Sequence, residues 1–186
     1  MMTRLGGGPE IVETGNRPWD HDWRAGTVTA KSDFTDEEWT RIVRAPFVAG
    51  MAISLADPGG PIEAAKESMA TLKSATNPPS REQLVAEVAL EIQGMVQQRH
   101  NPVSGYKPTA GQPPGEQVLD ELKAVQAIVA SKATPEESAA FGQWLVAAAE
   151  AAAHAAKEGG FMGFKAQLVS EREQDMLDRV RSSVAG

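Results

Sequence analysis

The stretch that decides the fold is "ATPEESAAFGQWLVAAAEAAAHAAKEGG", Ala133 to Gly160. It opens with Thr134 followed three residues later by Glu137, the capping box that satisfies free N–H groups in a first helical turn. Phe141, Trp144, Leu145, Ala148, Ala152 and Ala155 then recur at helical spacing. Its second half is almost all alanine, which favours helix and lets a neighbouring helix come close. Gly159 and Gly160 suit the left-handed residue that ends a helix. The spacing predicts a helix over Pro135–Glu158, central in the molecule and gripped by its neighbours.

The same grammar recurs along the chain. Thr35–Glu38, Ser80–Gln83 and Ser170–Glu173 repeat the Ser/Thr-x-x-Glu/Gln pattern. They predict helices over about Asp36–Leu55, Arg81–Gln98 and Glu171–Ser183. Pro46 is expected to kink or split the first of these. Pro61 begins another helix, to about Ser74, after the stop "ADPGG". One more follows the loop "HNPVSGYKPTAGQPPG", over about Glu116–Ser131. β-branched and polar residues nowhere alternate long enough to signal a strand. The expected fold class is all-α, a bundle of about six helices over residues 34–186. Residues 1–33, rich in Gly, Pro, Thr and charge, read as an irregular N-terminal arm.

An internal echo links Phe34–Gly60 to Ala133–Gly160. Both open with Thr-x-Glu-Glu, run through a long small-residue helix and close on Gly-Gly. A duplicated helical hairpin and shared helix grammar explain it equally well.

The bulk properties narrow the function. At 186 residues the chain can bury a core without disulfides or structural metal. It contains no cysteine, which removes a cysteine nucleophile and a thiolate metal site. The net charge is −7 and no basic run is present, so no nucleic-acid partner is expected. No apolar stretch approaches the roughly 20 residues that span a bilayer, and the start lacks a signal peptide's apolar region. Membrane contact is therefore not expected, and a cytoplasmic protein is.

The pairs Glu37–Glu38 and Glu136–Glu137 sit in first turns, where negative charge suits the helix dipole. Glu150, His154 and Glu158 share a face and read as solvated. No nucleophile elbow, Walker loop or dinucleotide fingerprint occurs. Gly159, Gly160 and Gly163 follow a helix rather than a strand and do not form a phosphate cradle. We expect no catalytic residues, no cofactor and no metal, hence no enzyme.

Two stretches remain as candidate partner-binding residues. In the arm, Trp19 and Trp23 flank His21 in "RPWDHDWRAG". Half of the four tryptophans lie in a segment too polar to fold alone, and tryptophan is a preferred interface anchor. The arm straps its own bundle, docks on another molecule, or, least of the three, holds a metal at Asp20–His21–Asp22. In "KEGGFMGFKAQLVSERE", Phe161, Met162 and Phe164 lie between two helices. They form a core plug, a knob for a partner, or a membrane contact.

The segments "KATPEESAAFGQWLVAAAEAAAHAAKEGGFMGF", "VSEREQDML" and "FTDEEWTRIVRAPFVAGMAISLAD" together resemble a family of small uncharacterised bacterial all-α proteins. The likeness runs from about Phe34 to Val184 and implies the helical fold but no activity. More loosely, the helical layout is similar to tellurite-resistance B-type proteins, at the level of fold only. The function expected is a non-enzymatic interaction or structural subunit, anchored by its arm to a partner protein or to another copy. The alternative is a small-molecule or metal-binding stress-response protein of the tellurite-resistance type.

Overall fold

The computed structural model describes residues 28–155 and 169–185. These residues form a short 3-10 turn, Lys31–Asp33, and six helices. The helices are α1 (Asp36–Ala56), α2 (Pro61–Thr76), α3 (Gln83–Gln97), α4 (Pro114–Lys132), α5 (Pro135–Ala155) and α6 (Glu171–Val184). No strand occurs among the described residues. The fold is an all-α helical bundle.

Three of the four expected capping boxes close. The hydroxyls of Thr35, Thr134 and Ser170 accept the N–H of Glu38, Glu137 and Glu173, each at 3.2 Å. Each glutamate reaches back to the cap's own N–H. Ser80 behaves otherwise. Its hydroxyl accepts from Glu82 N at 3.1 Å, an i→i+2 turn, and α3 begins only at Gln83. The side-chain turn uses the oxygen that a capping box requires.

Pro46 does not split α1, which is helical throughout. Proline cannot donate to the Ile42 carbonyl, yet Ile42, Ala45, Val48 and Ala49 around it are fully buried. Packing outweighs the missing bond. The continuation of α5 to Glu158 lies outside the described residues.

Both α1 and α5 touch all five other helices. The centre expected of α5 is therefore shared. Each has 21 residues and a Thr cap with Glu at its third position. Trp144 and Phe141 meet edge-on in the core, with centroids 6.0 Å apart. The Trp144 indole N–H donates to the Ser74 carbonyl at 3.0 Å, fixing α5 to α2. Ala148, Ala149, Ala152 and Ala153 are all buried, so the alanine run is covered on more than the single stripe expected.

The pairings show how neighbours run. Glu38 meets Lys132 and Arg44 meets Glu121, so α1 and α4 are antiparallel. Ser54 meets Glu67 and Gly50 meets Thr71, so α1 and α2 are antiparallel too. Gly50 is what permits the second approach. A Cβ placed there would lie 2.2 Å from the Thr71 hydroxyl oxygen.

Candidate functional site

Three places collect polar groups in the described structure: the root of the N-terminal arm, a cavity between α1, α2 and the end of α3, and a cluster between α1 and α4.

At the root, Thr29 is bound to the first turn of α5. Its hydroxyl donates to Glu137 Oε2 at 2.5 Å and its backbone N–H to Oε1 at 3.3 Å. Glu137 also accepts from Thr134 N at 3.2 Å. Both Thr29 and Glu137 are buried. Two residues on, the Lys31 backbone N–H donates to Glu87 and its ammonium pairs with Glu91 on α3 at 2.9 Å. The same ammonium sits 5.5 Å from the centre of the Trp39 ring. Lys132 closes the other side, 2.6 Å from Glu38 and donating to the Asp33 carbonyl. The Lys132 contact and the Thr35 N–H hold the Glu38 carboxyl below its usual range. Residues 29–34 are thus attached to α1, α3, α4 and α5.

The second place is a cavity of about 560 Å³. One wall is a single face of α1: Phe47, Gly50, Met51 and Ser54. The α2 side brings Glu67, Met69, Thr71 and Leu72, the end of α3 brings Val96, and the turn after it brings Arg99, His100, Asn101 and Val103. The close Gly50–Thr71 approach joins the two helices along this floor. Glu67 is only 3% exposed and accepts a short hydrogen bond from the Ser54 hydroxyl. Burial pushes its carboxyl up, opposed by the Ser54 bond and reinforced by Glu173, Glu63 and Asp57. No basic group pairs with it among the described residues.

The rim carries an unusual backbone. Arg99 has φ = 58°, the left-handed region. Its N–H reaches the Val96 carbonyl and the His100 N–H reaches the Met95 carbonyl. These two bonds are a Schellman motif, in which the left-handed position normally falls to glycine.

A third polar cluster ties α1 to α4. Arg41 grips Glu121 through Nε at 3.0 Å and Nη2 at 2.7 Å, and Arg44 adds a bond at 3.1 Å. Burial raises the Glu121 carboxyl, but the hydrogen bonds and charges of Arg41 and Arg44 outweigh it and leave it below its usual range. Arg44 also lies 5.0 Å from the Tyr106 ring centre, pinning the long loop.

The residues singled out from sequence fall elsewhere. Trp19, His21, Trp23, Phe161, Met162 and Phe164 all lie outside the described residues, as do Glu158, Gly159, Gly160 and Gly163. Glu150 pairs with Arg181 at 2.7 Å and His154 is exposed, in keeping with a solvated face. Glu137 is more than a first-turn charge, since it also receives Thr29. Nothing local signals that bond. Glu67 was missed as well, although it shares a helical stripe with Thr71 and Ala75 at four-residue spacing. That spacing is the signal that would have found it.

No helix among the described residues is long and apolar enough to cross a membrane. No group of three or more His, Asp or Glu suited to a metal ion occurs among them. The fold defines the class of this chain, an all-α helical bundle. No family model, curated protein or solved structure matches it.

Proposed function

We propose that this chain is a non-enzymatic interaction or structural subunit, whose N-terminal arm anchors it to a partner protein or to another copy. The observation that supports this reading is the buried Thr29–Glu137 attachment. It gives the arm a fixed point of departure. Trp23 lies six residues before Thr29 and Trp19 ten. Extended chain of those lengths reaches roughly 20–35 Å, while α5 with 21 residues is about 30 Å long. Both rings can therefore reach well away from the root, and two large interface side chains on such a tether suit a groove on another molecule. His21 and the acidic residues between them would lie at the rim, orienting the contact more than strengthening it.

The test is the mass of the full-length protein in solution, with its copurifying proteins, for wild type and for Trp19→Ala/Trp23→Ala. The reading predicts a larger wild-type assembly that the double variant loses, with helical content unchanged. Identical masses and identical copurifying proteins would refute it.

A second reading, a small-molecule-binding protein, is favoured by one observation. The cavity at Glu67 falls in the 300–1,000 Å³ range of ligand pockets and joins apolar walls to a few polar groups.

A further inference from the structure

Resting on the second reading, we propose that the cavity binds an organic cation, a protonated amine carried on an apolar body. The ammonium would sit on Glu67 and Ser54, and the body against Phe47, Met51, Leu72 and Val103.

The charge arrangement carries the choice of ligand. Glu67 is only 3% exposed, faces the cavity, and has only a hydroxyl as side-chain partner among the described residues. Glu63, Asp57 and Glu173 lie near enough to act on it, and all carry the same sign. A buried carboxylate without a counter-charge is costly. A cationic ligand supplies the missing charge, so its binding is favoured over a neutral analogue by the ion pair as well as the apolar contact. An anionic ligand placed at Glu67 would be repelled by its carboxylate and by the field of the three acidic residues behind it. Arg99 and His100 line the cavity from the turn after α3 and form no ion pair with Glu67. The positive charge of Arg99 disfavours placing the ammonium at that side and so sets the ligand's direction.

The walls suit an unbranched or small cyclic body. Met51 and Met69 supply flexible, polarizable surface that adapts to irregular shapes. Phe47 offers a phenyl ring to the cavity, a further favourable neighbour for a cation. Gly50 and Thr71 keep the floor narrow, because no Cβ fits between them.

Octylammonium and octan-1-ol separate the possibilities, titrated into the full-length protein at neutral pH and read by the methyl signals of its methionines. Octylammonium should move Met51 and Met69 saturably and leave Met176, in the core, unmoved. Octan-1-ol should bind at least tenfold more weakly. Glu67→Gln should erase that preference while keeping the alcohol's affinity, so a folded, binding-competent variant provides the control. Val96→Trp, at the exposed rim, should weaken both ligands.

Equal affinity for amine and alcohol would overturn the cation proposal while leaving a small-molecule cavity standing. Silence of both methyls with either ligand at millimolar concentration would overturn both. Binding of octylammonium that Val96→Trp leaves intact would place it outside the cavity and also overturn the proposal.

Discussion

Glu137 receives both the backbone N–H and the hydroxyl of Thr29, 108 positions earlier in the chain, while it closes the cap of its own helix with Thr134. One buried carboxylate therefore does two jobs, one local and one tertiary.

This doubling orders the cost of substitutions. Thr134→Ala removes one cap and should destabilise by about 0.5–2 kcal/mol. Thr29→Val removes one buried hydroxyl bonded to a charged acceptor, at about 1–3 kcal/mol. Glu137→Gln keeps a cap but turns one acceptor oxygen into a donor facing another donor. It should cost at least as much as Thr134→Ala, an order that a simple first-turn charge would not give. Urea unfolding of the three variants checks the ranking.

Gly50 should not tolerate a methyl group. The added Cβ meets the Thr71 hydroxyl oxygen at 2.2 Å and its methyl at 2.6 Å, both on a buried β-branched side chain that cannot swing away. Gly50→Ala should therefore cost roughly 1–3 kcal/mol despite the better helix propensity of alanine. Adding Thr71→Ala should recover part of that loss, because the pair is in contact and couples. Additive destabilisation in the double-mutant cycle would mean the two helices are not this close.

Arg99 occupies a position built for glycine. An L-residue at φ = 58° pays roughly 1–2 kcal/mol for its left-handed backbone. Glycine removes that strain but is more flexible when unfolded. Arg99→Gly should raise stability by a net ~0.5 kcal/mol, seen as a small rise in thermal midpoint.

Two carboxylates should show opposite pH dependence. Glu67 is raised by burial and by Glu173, Glu63 and Asp57, with only the Ser54 hydroxyl opposing. Relative to unfolded chain, at about 4.3, its favourable contribution is complete at lower pH and lost as pH rises through the raised value. Glu67→Gln should therefore melt higher than wild type at pH 7, and the gain should vanish towards pH 4. Glu121 is lowered by Arg41 and Arg44. Its contribution is present above the unfolded value and lost as pH falls through the lowered one. Glu121→Gln should lose roughly 1–3 kcal/mol of stability at pH 7 and so melt lower there, with the deficit shrinking in acid. Thermal midpoints across pH 3–8 test both signs together.

Local grammar made most of the helices readable. Thr35, Thr134 and Ser170 each act within four residues, so their helix starts were legible from the sequence. Pro61 and Pro135 at first helical positions were equally plain. Ser80 misled because a hydroxyl has two competing local uses, cap and turn, and sequence does not rank them. Pro46 misled in the other direction, since burial of Ile42, Val48 and Ala49 overrides the proline's local effect. The tertiary features were out of reach. The partners Thr29–Glu137 and Arg44–Glu121 are separated by 108 and 77 positions, and no periodicity encodes such pairs. Glu67 stood in a readable stripe, but its meaning depends on which face of α2 turns inward. That is decided by Gly50 on another helix.

We propose that the arm beyond Thr29 makes its contact between molecules. The most direct test is a photo-crosslinking residue in place of Trp23 in the full-length protein, activated at low concentration, with the products mapped by mass spectrometry. An intermolecular contact should give a crosslinked species heavier than one chain, joined to a second copy or to one partner protein. Products confined to single chains, with position 23 joined to its own bundle, would contradict it.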